Sequence, residues 1–127
     1  MHKLLLVGLG GAVGSMARFI VSGWVQDSMK QSLFPVGTLA VNVLGCFLIG
    51  ALSYLADTRQ ALTPENRALL MVGVLGGFTT YSSFGNETIN LWRDGQIGLG
   101  LWNIAFQLLF GLTAVWLGRV VSHYLWG

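Results

Sequence analysis

Hydroxyl, aromatic and glycine residues are concentrated in one segment near residue 80, in the middle of a long apolar stretch. The segment consists of Gly76, Gly77, Phe78, Thr79, Thr80, Tyr81, Ser82, Ser83 and Phe84. Hydroxyl groups at such a place can bond backbone groups and interrupt a helix. Inside a membrane, an interrupted helix offers free carbonyls to a cation and free amides to an anion. The segment therefore predicts a broken helix and indicates binding of a small ion.

Tyr81 and Phe84 are three residues apart, so a helix places both rings on one face. The edge of an aromatic ring is electropositive, whereas its face is electronegative. Ring edges, hydroxyls and an asparagine amide can together hold a small anion without a cationic side chain that traps it. Weak and repeated sites of this kind favour conduction over tight binding.

Other polar side chains stand singly in apolar surroundings, where each is costly unless it faces a partner or a watery path. Asn42 is the main polar side chain of the second apolar stretch, and Asn103 and Gln107 are four residues apart in the last one. Such amides either bond helices together or line a path, and the sequence leaves both alternatives open. Arg18 is likewise either functional, or a structural arginine that snorkels or binds a carbonyl.

The sequence gives little support for an enzyme, a redox protein or a protein that binds nucleic acids. The glycine-rich start lacks the third glycine of a dinucleotide fingerprint because Val13 occupies that position. Cys46 is the single cysteine, and His2 and His123 lie at opposite ends of the chain. The basic residues are scattered singly, so no basic cluster suits a nucleic acid. We predict a protein that is not an enzyme and binds no nucleic acid.

The composition indicates a membrane protein, since 54% of the 127 residues are hydrophobic and only 9% are charged. A span needs about 20 apolar residues. Four such stretches lie at residues 4–25, 36–56, 68–92 and 97–121. No alternating barrel pattern is present, and open backbone groups are not tolerated in lipid, so the spans must be helices. We predict one all-α domain over residues 1–127, with the third of its four helices broken at mid-membrane.

Helix ends and contacts are also indicated. Thr63 and Pro64 before the third span are typical of a helix start, and Gly95 is typical of a helix end. Gly10 and Gly14 form a small-residue pair that lets helices approach closely, and Gly8 is expected to extend that surface.

Three segments, GGAVGSMAR, PVGTLAVNVLG and GGFTTYSSFGNE, occur in this order over four short spans. In this the chain resembles the small bacterial fluoride channels of the Fluc or CrcB family, over essentially its whole length. The resemblance implies passive, fluoride-specific export that lowers cytoplasmic fluoride. It also implies an antiparallel, dual-topology homodimer with two pores in the lipid bilayer of the inner (plasma) membrane.

The resemblance also implies roles for single residues. In the implied fluoride pathway, Asn42 corresponds to the pore asparagine of the family, and Tyr81 and Phe84 correspond to its two pore phenylalanines. Asn103 of the last helix also belongs to the implied pathway. The hydroxyl run of the family corresponds to Thr80, Ser82 and Ser83.

Arg18 and Glu87 match family residues with structural or gating roles. The main-chain carbonyls of Gly76 and Thr79 match the ligands of a structural sodium ion, which is held at the dimer centre and is not transported.

The chain departs from the family pattern at several pore positions. Tyr81 replaces a phenylalanine and Ser83 a threonine, while Gly111 and Val115 stand where a serine and a threonine are common. Pore polarity is therefore expected to be redistributed, with Gln107 as a possible compensation.

Two other classes of protein compete with a channel. A small multidrug antiporter also has four spans and works as a dimer, but it needs a carboxylate buried in the first span, and Glu87 is the only acid well inside any span. An assembly subunit without transport would explain the glycines but not the hydroxyls and paired rings.

The basic residues predict a weak orientation bias, because lysine and arginine favour the cytoplasmic side. The side with both termini collects Lys3, Arg59, Arg67 and Arg119, and the opposite side has Lys30 and Arg93, with Arg18 nearer to it. So small a difference is expected to let both orientations insert.

Overall fold

The computed structural model describes residues 1–127, and every regular element is a helix. The helices are α1 (His2–Ser28), α2 (Val36–Thr58), α3 (residues 64–78), α4 (Tyr81–Arg93) and α5 (Ile97–Trp126). Helices α3 and α4 together form the third span, Pro64–Arg93, so the chain has four helical spans long and apolar enough to cross a membrane. The four predicted spans are confirmed, and each helix extends beyond the predicted bounds at one or both ends.

Helix α3 begins as predicted but then widens. The Thr63 hydroxyl accepts a hydrogen bond from the Asn66 amide at 3.1 Å, and Pro64 occupies the first helical position. Residues Arg67–Leu75 then form a π-helix, before a final α-turn at Gly76–Phe78. The sequence analysis did not predict this segment, because its residues after Arg67 are all apolar and so show no periodicity that distinguishes a π-helix from an α-helix.

Glycines let α1 lie directly against the backbone of α3. A Cβ atom added to Gly14 would collide with the Val74 carbonyl, and one added to Gly10 would collide with the Leu69 carbonyl. The predicted small-residue pair is therefore confirmed. Gly8 was expected to extend this surface, which is wrong, since an added Cβ there meets no atom within 4 Å.

A second glycine contact joins α2 and α5. An added Cβ on Gly50 would collide with the Val115 carbonyl, and one on Gly118 with the Phe47 carbonyl. The fold thus contains two closely packed helix pairs, α1 with α3 and α2 with α5.

Ion pairs place both chain ends and the second connector at one end of the bundle. His2 Nε2 lies 3.8 Å from Glu65 Oε1, and Arg119 Nη1 lies 3.7 Å from Asp57 Oδ2. At the opposite end, Gly95 adopts a φ of +83° in the tight turn between α4 and α5. Glycine adopts this left-handed conformation without steric cost, and the predicted helix end at Gly95 is confirmed.

Candidate functional site

The predicted helix break is confirmed and lies at Thr79 and Thr80. Both residues are extended, with φ −86° and ψ 158° at Thr79 and φ −149° and ψ 110° at Thr80. The Thr80 hydroxyl accepts a hydrogen bond from the Ser83 amide at 3.1 Å, which caps the start of α4. The same hydroxyl lies 3.0 Å from Ser83 Oγ and 3.4 Å from Ser82 Oγ. The predicted hydroxyl run therefore shapes the start of α4.

Asn42 of α2 satisfies both backbone groups of Thr80. The Thr80 amide donates to Asn42 Oδ1 at 2.8 Å, and Asn42 Nδ2 donates to the Thr80 carbonyl at 3.1 Å. Asn42 Nδ2 also donates to Gln107 Oε1 of α5 at 3.1 Å. Asn42 thus bonds α2 to the break and to α5 with both of its polar atoms, and it also lines a cavity, so both alternatives for Asn42 stay open.

Arg18 binds the other side of the break. Its Nε donates to the Gly77 carbonyl at 3.0 Å. This is the carbonyl contact expected of a structural arginine, and a functional role for Arg18 stays a prediction.

The break leaves carbonyl oxygens available at Gly76 and Thr79. In a continuous helix the Thr80 amide would close on the Gly76 carbonyl, but here it binds Asn42. The Thr79 carbonyl accepts no hydrogen bond, and Gly76 is exposed. Carbonyl oxygens are hard donors of the kind that hard cations such as sodium bind.

Further polar pairs follow on the helical turns beyond the break. Asn103 Nδ2 donates to Thr88 Oγ1 at 2.9 Å, and the Thr88 hydroxyl donates to the Phe84 carbonyl at 2.8 Å. The Thr38 hydroxyl donates to Glu87 Oε2 at 3.0 Å. Asn103 is fully buried, and Thr38 and Thr88 are buried as well.

These groups form three separate hydrogen-bonded sets at the contacts of α2 with α4 and α5, and we term them together the polar ladder. Its members are Thr38, Asn42, Thr80, Glu87, Thr88, Asn103 and Gln107. Spacings of four residues place Thr38 under Asn42 and Asn103 under Gln107 on their helices. Sequence analysis assigned no role to Thr38 or Thr88, although these same spacings were a usable signal.

Members of the polar ladder line two cavities. A cavity of about 440 Å³ is lined by Asn42, Thr80, Tyr81, Phe84 and Gln107, together with apolar residues of α2 and α3. A second cavity, of about 250 Å³, is lined by Glu87, Asn90, Asp94 and Gln96 near the opposite end. The larger cavity thus contains three members of the polar ladder, and the smaller one contains Glu87.

Three buried atoms of the polar ladder have no hydrogen-bond partner: Glu87 Oε1, Asn103 Oδ1 and Gln107 Nε2. A buried polar atom without a partner costs about 1–3 kcal/mol, so most proteins avoid it. Each of the three separate hydrogen-bonded sets of the polar ladder therefore retains one unsatisfied buried polar atom.

The two predicted aromatic residues are confirmed on one face of α4. The ring centroids of Tyr81 and Phe84 are 5.6 Å apart, with planes tilted by 58°. Phe84 is half-buried, whereas Tyr81 is 84% exposed on the open side of the larger cavity. The structure therefore brings Asn42, Thr80 and Phe84 together, and leaves Tyr81 at the rim.

Comparison with known proteins gives consistent matches over nearly the whole chain. The family model described as CrcB-like protein, Camphor Resistance (CrcB), matches residues 5–119. The fluoride-specific ion channel FluC of Sorangium cellulosum is 49% identical over 125 residues, covering 98% of both chains. FluC of Methylobacillus flagellatus is 44% identical over 118 residues, covering 93% of this chain and 92% of that one. FluC 3 of Methanosarcina barkeri is 39% identical over 131 residues, covering 100% and 98%.

Proposed function

Because the chain belongs to the CrcB family, we infer that it is a fluoride-specific ion channel. Its four apolar helices make it a multi-pass membrane protein. The resemblance drawn from the three sequence segments is thereby confirmed, and the family match favours a channel over the antiporter alternative. Relatives that carry the name of a fluoride-specific ion channel match 98% and 93% of the chain.

The polar ladder is the observation that carries this function. Its donors are neutral hydroxyls and amides, and it contains no lysine or arginine. Fluoride is small and strongly hydrated, so a path must replace its water shell with donors. Neutral donors hold an anion weakly enough for it to leave again, which conduction requires.

Conduction is passive in this proposal and results in export, lowering cytoplasmic fluoride. Proton coupling would need a carboxylate exposed to both sides, whereas Glu87 is held by Thr38. The test is efflux from liposomes loaded with potassium fluoride and followed by a fluoride electrode, with and without valinomycin. Efflux that needs valinomycin supports an electrogenic channel, whereas chloride efflux as fast as fluoride efflux contradicts fluoride specificity.

The site assignments remain proposals built on the same path. In the larger cavity, fluoride passes Asn42, Thr80 and Phe84. It then passes Asn103, which lies one turn of α5 from Gln107. Tyr81, Ser82 and Ser83 lie at the rim of that cavity or at the start of α4 beside it. Arg18 and Glu87 act structurally or in gating, each holding one polar group of the third span in place.

The working unit is an antiparallel homodimer that inserts in both orientations. The small difference in basic residues between the two ends supports dual topology. The exposed Tyr81 ring and the open side of the larger cavity support a second copy that covers them. The test is a cysteine at position 127 in a Cys46→Ser background, labelled from each side of intact cells. Labelling of every copy from one side only is incompatible with this assembly.

A structural sodium ion, held and not transported, is the last part of the proposal. The carbonyls of Gly76 and Thr79 would hold it, and a second copy related by a twofold axis would supply a matching pair of oxygens. The bound ion would neutralise carbonyl dipoles exposed by the break. Purification in N-methylglucamine instead of sodium tests this proposal, since an unchanged thermal stability of the dimer contradicts it.

A further inference from the structure

We propose that Gln107, rather than Asn42, presents the free amide N–H group that a permeating fluoride ion meets in the larger cavity. This inference rests on the fluoride conduction proposed above. It assigns a specificity role to a residue of α5 for which the sequence left open helix bonding, the lining of a path or compensation for missing hydroxyls. Three steps of hydrogen-bond geometry lead to it.

The backbone of the helix break fixes the orientation of the Asn42 amide. A backbone N–H group is a donor only, so the Asn42 atom that lies 2.8 Å from the Thr80 nitrogen must be the oxygen, Oδ1. The other Asn42 atom, 3.1 Å from the Thr80 carbonyl, must then be the nitrogen. The usual ambiguity between the two ends of an amide therefore does not apply to Asn42.

Asn42 in turn fixes the orientation of Gln107. The second hydrogen on Asn42 Nδ2 points to an atom of Gln107 at 3.1 Å, and that atom must accept it. The accepting atom is Oε1, so the other end of the Gln107 side chain is the NH₂ group. Both hydrogens of Asn42 are used in these contacts, and Asn42 retains no free donor for an anion.

The NH₂ group of Gln107 is a donor without an acceptor. Nε2 is buried and has no hydrogen-bond partner, while Gln107 itself lines the larger cavity together with Tyr81 and Phe84. Leaving such a donor unsatisfied is unfavourable, and an anion in the cavity supplies the missing acceptor. Gly111 and Val115 contribute no hydroxyl on the next turns of α5, so the Gln107 amide is the donor available from that part of the helix.

A liposome efflux assay of Gln107→Glu tests the role of this donor. The variant keeps an oxygen that accepts from Asn42 and replaces the free NH₂ group with a second carboxylate oxygen. We expect fluoride efflux to fall by more than about 100-fold, because an unpaired negative charge inside the protein strongly disfavours an anion beside it. Gln31→Glu makes the same charge change at an exposed position and is expected to leave efflux unchanged.

Side-chain amide NMR on the wild-type channel provides a readout that does not depend on a variant folding. In glutamine-labelled protein, fluoride is expected to shift the Gln107 NH₂ resonances, identified by their loss in Gln107→Glu, and equal chloride is not. In asparagine-labelled protein, the Asn42 resonances are expected to stay in place. A fluoride-dependent shift at Asn42 with none at Gln107 would overturn the inference.

The outcomes separate this inference from the channel function itself. If wild-type liposomes release no fluoride, the proposed function fails. If wild-type protein conducts fluoride and Gln107→Glu conducts equally well, the channel function stands and only the role of Gln107 is rejected.

Discussion

The two halves of the third span differ in how they contact the rest of the chain. In α3, residues 68–78 include no hydroxyl or amide side chain, and this half lies against α1 through backbone atoms and glycines. In α4, Tyr81–Arg93, polar side chains recur on most turns and bond to α2 and α5. We therefore term α3 the anchoring half of the third span and α4 its polar half.

This difference shows how a small membrane protein can host a polar path without losing its fold. Close backbone packing needs only small residues, so α3 is held without buried polar groups. Helix α4 can then place its polar groups along the path. From outside the span, Asn42 binds both backbone groups of Thr80, and Arg18 binds the Gly77 carbonyl. Substitutions in the two halves should therefore fail in different ways.

Gly14→Leu should have the largest effect, because it breaks the anchoring half. The added side chain would collide with the Val74 carbonyl and push α1 away from α3. We expect a loss of at least about 3 kcal/mol of stability, the upper end of overpacking costs, since backbone cannot move aside as a side chain does. Thermal unfolding in detergent measures it. Gly8→Leu, on the same helix with open space around it, is the control, and equal damage in both variants would contradict the contact.

Asn42→Asp should abolish fluoride flux while the anchoring half stays folded. The aspartate still accepts from the Thr80 amide, but it places a carboxylate oxygen against the Thr80 carbonyl and Gln107 Oε1. We expect efflux to fall more than about 100-fold through repulsion of the anion and disorder at the break. Asn86→Asp, which introduces the same negative charge at an exposed position of α4, is the matched control. Normal efflux by Asn42→Asp would mean that the break tolerates a charge and that the path lies elsewhere.

The contrast between the halves also shows what the sequence can predict. Hydropathy and helix-breaking residues depend on local chemistry, so the four spans, the Thr63 cap and the break were predictable. The hydrogen bonds of Arg18 and Thr88 depend on the rotation and height of one helix relative to another. No local pattern encodes those quantities. The same holds for Gly8 and Gly14, which look alike in sequence, yet only Gly14 faces α3.

Phe84→Ile should have a smaller effect, confined to the polar half. Phe84 lines the larger cavity, and isoleucine keeps an apolar side chain of similar bulk there but removes the electropositive edge of an aromatic ring. We expect roughly a tenfold loss of fluoride efflux, corresponding to about 1.4 kcal/mol at one anion site, with unchanged thermal stability. Phe19→Ile, at a residue that is 81% exposed on α1, is the matched control. Equal efflux from both variants would argue against coordination by the ring edge.

Tyr81→Phe should have the smallest effect, although Tyr81 and Phe84 are neighbours on the same face of α4. The Tyr81 hydroxyl makes no hydrogen bond within the chain, and its residue is 84% exposed at the rim of the cavity. Removing that hydroxyl keeps the ring and its electropositive edge, and it restores the residue usual in the family. We expect efflux within about threefold of wild type, since a hydrogen bond at so exposed a hydroxyl contributes about 0.5 kcal/mol, the low end of the usual range. Tyr81→Leu removes the ring as well and should conduct less. A Tyr81→Phe channel as inactive as Tyr81→Leu would show that the hydroxyl itself is a ligand, extending the polar half to the rim.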